Sequence, residues 1–171
     1  MRNLVRKRHV LGALAAAAIA ITAMPGTASA NTSGTVSVGG TSKCLDVQAS
    51  NSANGTPVQI WDCNASGAQN WSGTDQADGM GMTLSALDKC LDVSGSGTAD
   101  GTRVQLWDCN GSGAQRWVRY EGNVLINPQS GKCLDVPGGN FSNGNQLQLF
   151  TCNYTASQQW YFAPPRIPHA G

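Results

Sequence analysis

The sequence predicts an all-β domain in which three copies of one unit close around a pseudo-threefold axis. Three observations carry this expectation. The pentapeptide KCLDV occurs at Lys43 to Val47, Lys89 to Val93 and Lys132 to Val136, at spacings of 46 and then 43 residues. The stretch VQIWDCNASGAQNW (Val58 to Trp71) returns as VQLWDCNGSGAQRW (Val104 to Trp117), identical at eleven of fourteen positions, and more loosely as LQLFTCNYTASQQW (Leu147 to Trp160). Gly, Ser, Thr, Asn and Gln dominate between these motifs, and no long run has helical periodicity. A propeller is excluded, because three units cannot ring a channel that takes at least about four blades. A closed threefold arrangement removes sheet edges and lets three equivalent apolar faces meet at one core.

The chain opens on Arg2, Arg6, Lys7 and Arg8, an apolar run and then Ala28-Ser29-Ala30, the pattern of a secretory signal peptide over residues 1 to 30. The apolar run is shorter than the roughly 20 residues that a bilayer span needs. A secreted, extracellular chain is therefore expected, with one domain over residues 31 to 163. Pro164, Pro165 and Pro168 block a continuing strand, so residues 164 to 171 are expected to form a flexible tail. Four of the eleven Lys and Arg leave with the leader, and the remaining seven stand against ten Asp and Glu, a net charge near minus three. Nucleic acid and anionic lipid call for clustered cations, so neither is an expected partner, and membrane insertion is not expected. A monomer is expected.

Within each repeat, strands are expected at TVSV, MTLS and VLIN, at CLDV, at PVQIW, RVQLW and QLQLF, and from each Q-x-W onward, about twelve in all. The dipeptides Asn54-Gly55, Asp100-Gly101 and Asn143-Gly144 lie eleven residues into each repeat from its first Cys. They read as tight turns of hairpin type. Alternation in CLDV sends Leu and Val to the core and Asp to the other face. Trp71, Trp117 and Trp160 end strongly patterned segments and read as core.

Six cysteines in a secreted chain allow fifteen pairings. Repeat symmetry favours Cys44 with Cys63, Cys90 with Cys109 and Cys133 with Cys152, nineteen residues apart in every repeat, a pairing that gives all three units one geometry. Metal binding is not expected, because no C-x-x-C occurs and the one histidine after the leader, His169, lies in the tail. That histidine is also badly placed for a Ser-His-Asp or Cys-His site. Glycoside hydrolysis needs two carboxylates in distinct environments, whereas Glu121 is the only Glu and the aspartates recur by repeat. No P-loop or dinucleotide fingerprint is present. An enzyme is not expected, nor is any cofactor.

The repeated polar and aromatic residues suit a sugar, which presents a face of C–H groups and a rim of hydroxyls. Each unit has an Asp (Asp46, Asp92, Asp135), an aromatic across the turn (Trp61, Trp107, Phe150), an Asn (Asn64, Asn110, Asn153) and the Gln of Q-x-W (Gln69, Gln115, Gln158). Those glutamines are equally suited to holding the neighbouring Asp in place.

CLDV, NGTPVQIWDCN and QNW, with their second and third copies, resemble the ricin B-type lectins, also grouped as family 13 carbohydrate-binding modules. The resemblance spans about residues 34 to 163. It implies a β-trefoil, with six barrel strands, six hairpin strands capping them and a shallow sugar pocket in each repeat. The implied carbohydrate contacts are Asp46, Gln59, Trp61, Asn64 and Gln69, then Asp92, Gln105, Trp107, Asn110 and Gln115, then Asp135, Gln148, Phe150, Asn153 and Gln158. The chain departs from the family where many members place an Asn before the Gln of Q-x-W. Ala68, Ala114 and Ser157 stand there, and the third repeat has Phe150 and Thr151 for Trp and Asp. The expected function is a secreted lectin for a glycan or polysaccharide. The alternatives are a trefoil that acts through protein contacts and a small hydrolase.

Overall fold

The computed structural model describes residues 32–163; the expected signal peptide and tail lie outside them. Thirteen strands are present among these residues. They are β1 (Thr32–Gly34), β2 (Val36–Val38), β3 (Lys43–Val47), β4 (Val58–Asp62), β5 (Trp71–Asp75), β6 (Met82–Ala86), β7 (Lys89–Val93), β8 (Val104–Trp107), β9 (Val118–Tyr120), β10 (Val124–Asn127), β11 (Lys132–Asp135), β12 (Gln148–Phe150) and β13 (Trp160–Phe162). All named pairings are antiparallel. The sheets are ordered β1-β5-β6-β7-β8, β12-β11-β10-β9 and β13-β2-β3-β4.

This order shows how three repeats become one closed body. The strand opened by each Q-x-W joins the sheet of the following repeat, and the last returns to the first: Trp160 pairs with Val38 and Phe162 with Val36. The third repeat therefore returns to the sheet of the first, which is how the three units close on one another. The thirteenth strand, β1, lies ahead of the expected twelve. It sets Gly34 opposite Trp71, as Met82 is set opposite Trp117 and Val124 opposite Gln159.

The connection from CLDV to the following strand is longer than a tight hairpin turn. Val47 pairs with Val58 and Val93 with Val104, so residues 48–57 and 94–103 form the loops. The glycine of each Asn/Asp-Gly is left-handed, with φ of 86°, 85° and 86° at Gly55, Gly101 and Gly144, as the dipeptide requires. Its task is to join repeats. Gly55 N–H donates to the Leu106 carbonyl, Gly101 to Leu149 and Gly144 to Ile60, at 2.9, 2.9 and 3.0 Å. Leu106, Leu149 and Ile60 donate back to Thr56, Thr102 and Asn145. The result is a cyclic splice of repeat one to two, two to three and three to one.

Side chains reinforce each splice. Lys43 Nζ lies 2.5 Å from Asp62, whose second oxygen accepts from Asn143 Nδ2 at 2.8 Å. Lys89, Asp108 and Asn54 repeat the arrangement. In the third copy, where Thr151 replaces the Asp, the carboxylate has crossed to the turn. Asp100 takes the place of the Asn, accepts from Thr151 Oγ1 at 2.9 Å and pairs with Lys132 at 2.8 Å. Two departures from the repeat pattern thus restore one cation–carboxylate contact.

The core is built as the alternation predicts. Leu45, Val47, Val58, Ile60 and their counterparts are fully buried with Trp71, Trp117 and Trp160. Each indole N–H is satisfied by the Leu carbonyl of CLDV, at Leu45, Leu91 and Leu134, over 2.9, 3.1 and 3.0 Å. The three disulfides are those favoured by symmetry, each with Cα atoms 5.1 Å apart.

Replacing Cys90 and Cys109 by Ser is expected to lower the unfolding free energy by about 3 kcal/mol, measured by denaturant titration, because a loop of about twenty residues regains its freedom in the unfolded chain. Hydrogen bonds from Lys43, Lys132 and Lys89 hold the carboxyls of Asp62, Asp100 and Asp108 below the ordinary 3.8. Their stabilisation is therefore present above pH 3.8 and lost as the pH falls through the lowered folded values. Thermal unfolding followed from pH 6 to pH 2 is expected to show this acid loss, with a smaller loss for Asp62→Asn with Asp108→Asn.

Candidate functional site

Strand alternation turns Asp46 away from the core-facing Leu45 and Val47, yet Asp46 is buried. It lies across from Gln59 in the β3–β4 register. Gln59 Nε2 donates to one carboxylate oxygen at 2.9 Å and Gln69 Nε2 to the other at 2.9 Å. Asp92 is held likewise by Gln105 and Gln115, at 3.0 and 3.1 Å, and Asp135 by Gln148 and Gln158, at 2.8 and 3.1 Å. The sequence-expected residues therefore assemble into three clusters of like geometry.

The glutamines of Q-x-W stand behind the carboxylates. Gln69, Gln115 and Gln158 are 0, 1 and 0% exposed. Gln69 also donates to the Asp62 carbonyl at 3.0 Å and accepts from the Asn64 backbone N–H at 2.8 Å. Gln115 and Gln158 make the matching bonds to Asp108 and Asn110 and to Thr151 and Asn153. Each amide is thus consumed internally, and of the two roles the sequence left open the geometry provides the one that positions Asp.

What remains lines the walls of two clefts. In the first repeat a cleft of ≈ 410 Å³ is walled by Asp46, Gln59, Trp61, Asn64 and Ser66, with the turn Gln48 to Ser50 opposite and Gly144 from the third repeat at its edge. A cleft of ≈ 350 Å³ in the second is walled by Asp92, Gln105, Trp107, Asn110, Ser112 and the turn Ser94 to Ser96. Trp61, Trp107 and Phe150 are 40, 38 and 37% exposed, unlike the fully buried Trp of each Q-x-W. The Trp61 ring edge rests near the neighbouring repeat, since a Cβ on Gly144 would lie 3.9 Å from Cζ3. Asn64, Asn110 and Asn153 spend their carbonyl oxygens on the backbone N–H two residues on, leaving their NH₂ groups as donors.

The arrangement presents an acceptor carboxylate, amide donors and an aromatic plate within one shallow concavity. Burial pushes the Asp135 carboxyl above its ordinary value; the amides of Gln148 and Gln158 oppose this, and the charge on Asp100 adds to it. Ala68 and Ala114 are buried core members and stand on neither cleft wall. Sequence reasoning missed the turn residues Gln48, Ala49, Ser50, Ser94 and Ser96 and the loop residues Ser66 and Ser112. Their equal spacing from CLDV and from the Asn was the available signal, since it fixes them to strands already assigned.

The model of one family, the ricin-type beta-trefoil lectin domain, matches residues 32–160. The chain belongs to this family. Among solved structures, the designed threefold-symmetric protein ThreeFoil is 26% identical, with a TM-score of 0.73 over 77% of this chain and 97% of that one. The agglutinin from Abrus precatorius is 24% identical, with a TM-score of 0.68 over 82% of this chain, which spans about half (51%) of the agglutinin. The C-half of the earthworm R-type lectin, solved in complex with GalNAc, shares the fold at 15% identity, with a TM-score of 0.63 over 78% of this chain and 98% of that one. No curated protein sequence matches the chain. The three sheets and three repeat-wise disulfides of this lectin domain are accordingly those of a β-trefoil.

Replacing Gln69 by Met in this lectin domain is expected to cost about 1–3 kcal/mol of stability, because the buried Asp46 oxygen, the Asp62 carbonyl and the Asn64 N–H lose their partner. The same change at the exposed Asn70 is expected to cost far less, read in the same thermal unfolding experiment.

Proposed function

We propose that the domain is a secreted, non-catalytic lectin that holds sugar units of a glycan or polysaccharide at up to three shallow sites, one in each repeat. The observation that carries this reading is the pairing, in one cleft, of a buried carboxylate fixed at both oxygens by amides with a partly exposed Trp. The carboxylate is acceptor-only and already oriented, so its remaining lone pairs can take two neighbouring sugar hydroxyls without rearrangement. The indole then covers the apolar face of the pyranose. Asn64 and Asn110 supply exposed amide donors, with Gln59 and Gln105 deeper, beside the carboxylates.

Similar proteins support the reading. The earthworm lectin is described in complex with GalNAc and a Momordica charantia homologue in complex with α-methyl-D-galactoside. An exo-β-1,3-galactanase of Clostridium thermocellum is an enzyme, but this chain corresponds to 30% of its length. Binding to sugar rather than hydrolysis suits three repeated carboxylates in equivalent surroundings, where an acid–base pair needs unlike ones. Three intra-repeat disulfides fit an oxidising, extracellular setting.

A single shallow site binds weakly, and retention on a polymer grows when a second site engages the same chain. Asp46→Ala with Asp92→Ala is expected to abolish most retention on polysaccharide affinity gels of arabinan, xylan, galactan and β-glucan, while circular dichroism stays native. Retention equal to wild type on every gel that holds it would overturn the assignment of the clefts.

A further inference from the structure

The first cleft does not stop at its own wall. Gln48 and Ala49 line it on one side and, on the other, line a second hollow of ≈ 440 Å³ formed by Asn51, Ala53 and the segment Asn54 to Pro57. The far end of this hollow lies against the second repeat. A Cβ on Gly55 would sit 4.0 Å from Cζ3 of Trp107, and Asn54 Nδ2 donates to Asp108 at 2.7 Å. Cleft and hollow thus run in succession from the first carboxylate towards the second repeat.

The ridge between the two compartments differs from its counterparts. Ala49 is left-handed at φ 52°, a conformation that a Cβ disfavours, while the equivalent Gly95 and Gly138 are glycines at φ 61° and 65°. The fold therefore does not need a methyl there, and the methyl it carries lies on the wall shared by both compartments. Gln48 corresponds to Ser94 and Pro137 in the other repeats. Its side chain is exposed and makes no hydrogen bond among the described residues, so both its donors and its acceptor are available to hydroxyls. Asn51 spends its carbonyl oxygen on the Ala53 N–H at 3.0 Å and keeps its NH₂ for the hollow.

We propose that the first cleft and the adjoining hollow form one track for consecutive units of a single glycan chain, with Gln48 and Ala49 gripping the junction between units. This rests on the carbohydrate-binding reading above and extends it from single sugars to chain segments. The second unit is held by amide hydrogen bonds from Gln48 and Asn51 and by apolar contact with Ala49 and Pro57.

The test uses the wild-type chain and an Asp92→Ala, Asp135→Ala variant that leaves the first cleft. Both are titrated calorimetrically with the monosaccharide, disaccharide and trisaccharide of the xylose, arabinose, galactose and glucose series. In whichever series binds, the trisaccharide is expected to bind about tenfold more tightly than the monosaccharide, the effect of one or two added hydrogen bonds. Gln48→Ala is expected to reduce that ratio by about threefold to tenfold. Ala49→Gly, which relieves the left-handed residue and so keeps the fold, is expected to reduce it as well. A trisaccharide no tighter than its monosaccharide, or a ratio untouched by both substitutions, overturns the track and leaves the single-unit reading standing. Failure of the wild-type chain to bind any member of any series overturns the carbohydrate reading and the track together.

Discussion

A buried glutamine in each repeat ties together the three pieces from which both the fold and the cleft are made. Gln69 donates to Asp46 on β3 and to the carbonyl at the end of β4, and it accepts from the loop that leads into its own short turn. A fully buried amide must satisfy all of these groups or cost free energy, so the loop can pack only where the carboxylate and the strand end already meet. The carboxylate gains the same rigidity. The cleft carboxylate is thereby held by atoms that belong to the core, and the neighbouring Trp71 anchors that loop to the Leu45 carbonyl.

The repeats are coupled by a second device of a different kind. Backbone exchange between each glycine turn and the end strand of the next repeat's sheet (β8, β12 or β4) makes a ring of three equal splices, and the exposed Lys–Asp–Asn clasps accompany it. These ion pairs are exposed and individually weak, so their value lies in register rather than in bulk stability. The third clasp is instructive. Thr151 alone would leave Lys132 without its carboxylate, but Asp100 provides one from the other side of the splice. The same splice places Gly144 at the edge of the first cleft and Gly55 beside Trp107, so the Trp61 and Trp107 rings each lie against the repeat next to them.

The clefts are equal in frame and unequal in detail. Asp, two glutamines and an aromatic recur in each repeat, whereas the opposing turn reads Gln48-Ala49-Ser50, Ser94-Gly95-Ser96 and Pro137-Gly138-Gly139. Such a division suits a binding module. The shared frame is the same in each repeat, and the opposing turns are where the repeats differ.

Much of this was legible in the sequence because repetition converts one local reading into three independent ones. The spacing of 19 between paired cysteines, the alternation in CLDV and the contrast between Trp61 and Trp71 follow from periods and counts that hold wherever the strands lie. The sequence by itself determined the strand content, the disulfide pairing, the core tryptophans and the membership of each residue in a cluster. Tertiary structure alone decided which residues face a cleft. Whether Gln69 touches ligand or carboxylate, whether Ala68 faces solvent or core, and that Asn54 grips Asp108 rather than tightening its own hairpin are matters of packing between segments far apart in the chain. Hydrogen-bonding capacity is local, but which partner exhausts it is set by the closure of the ring.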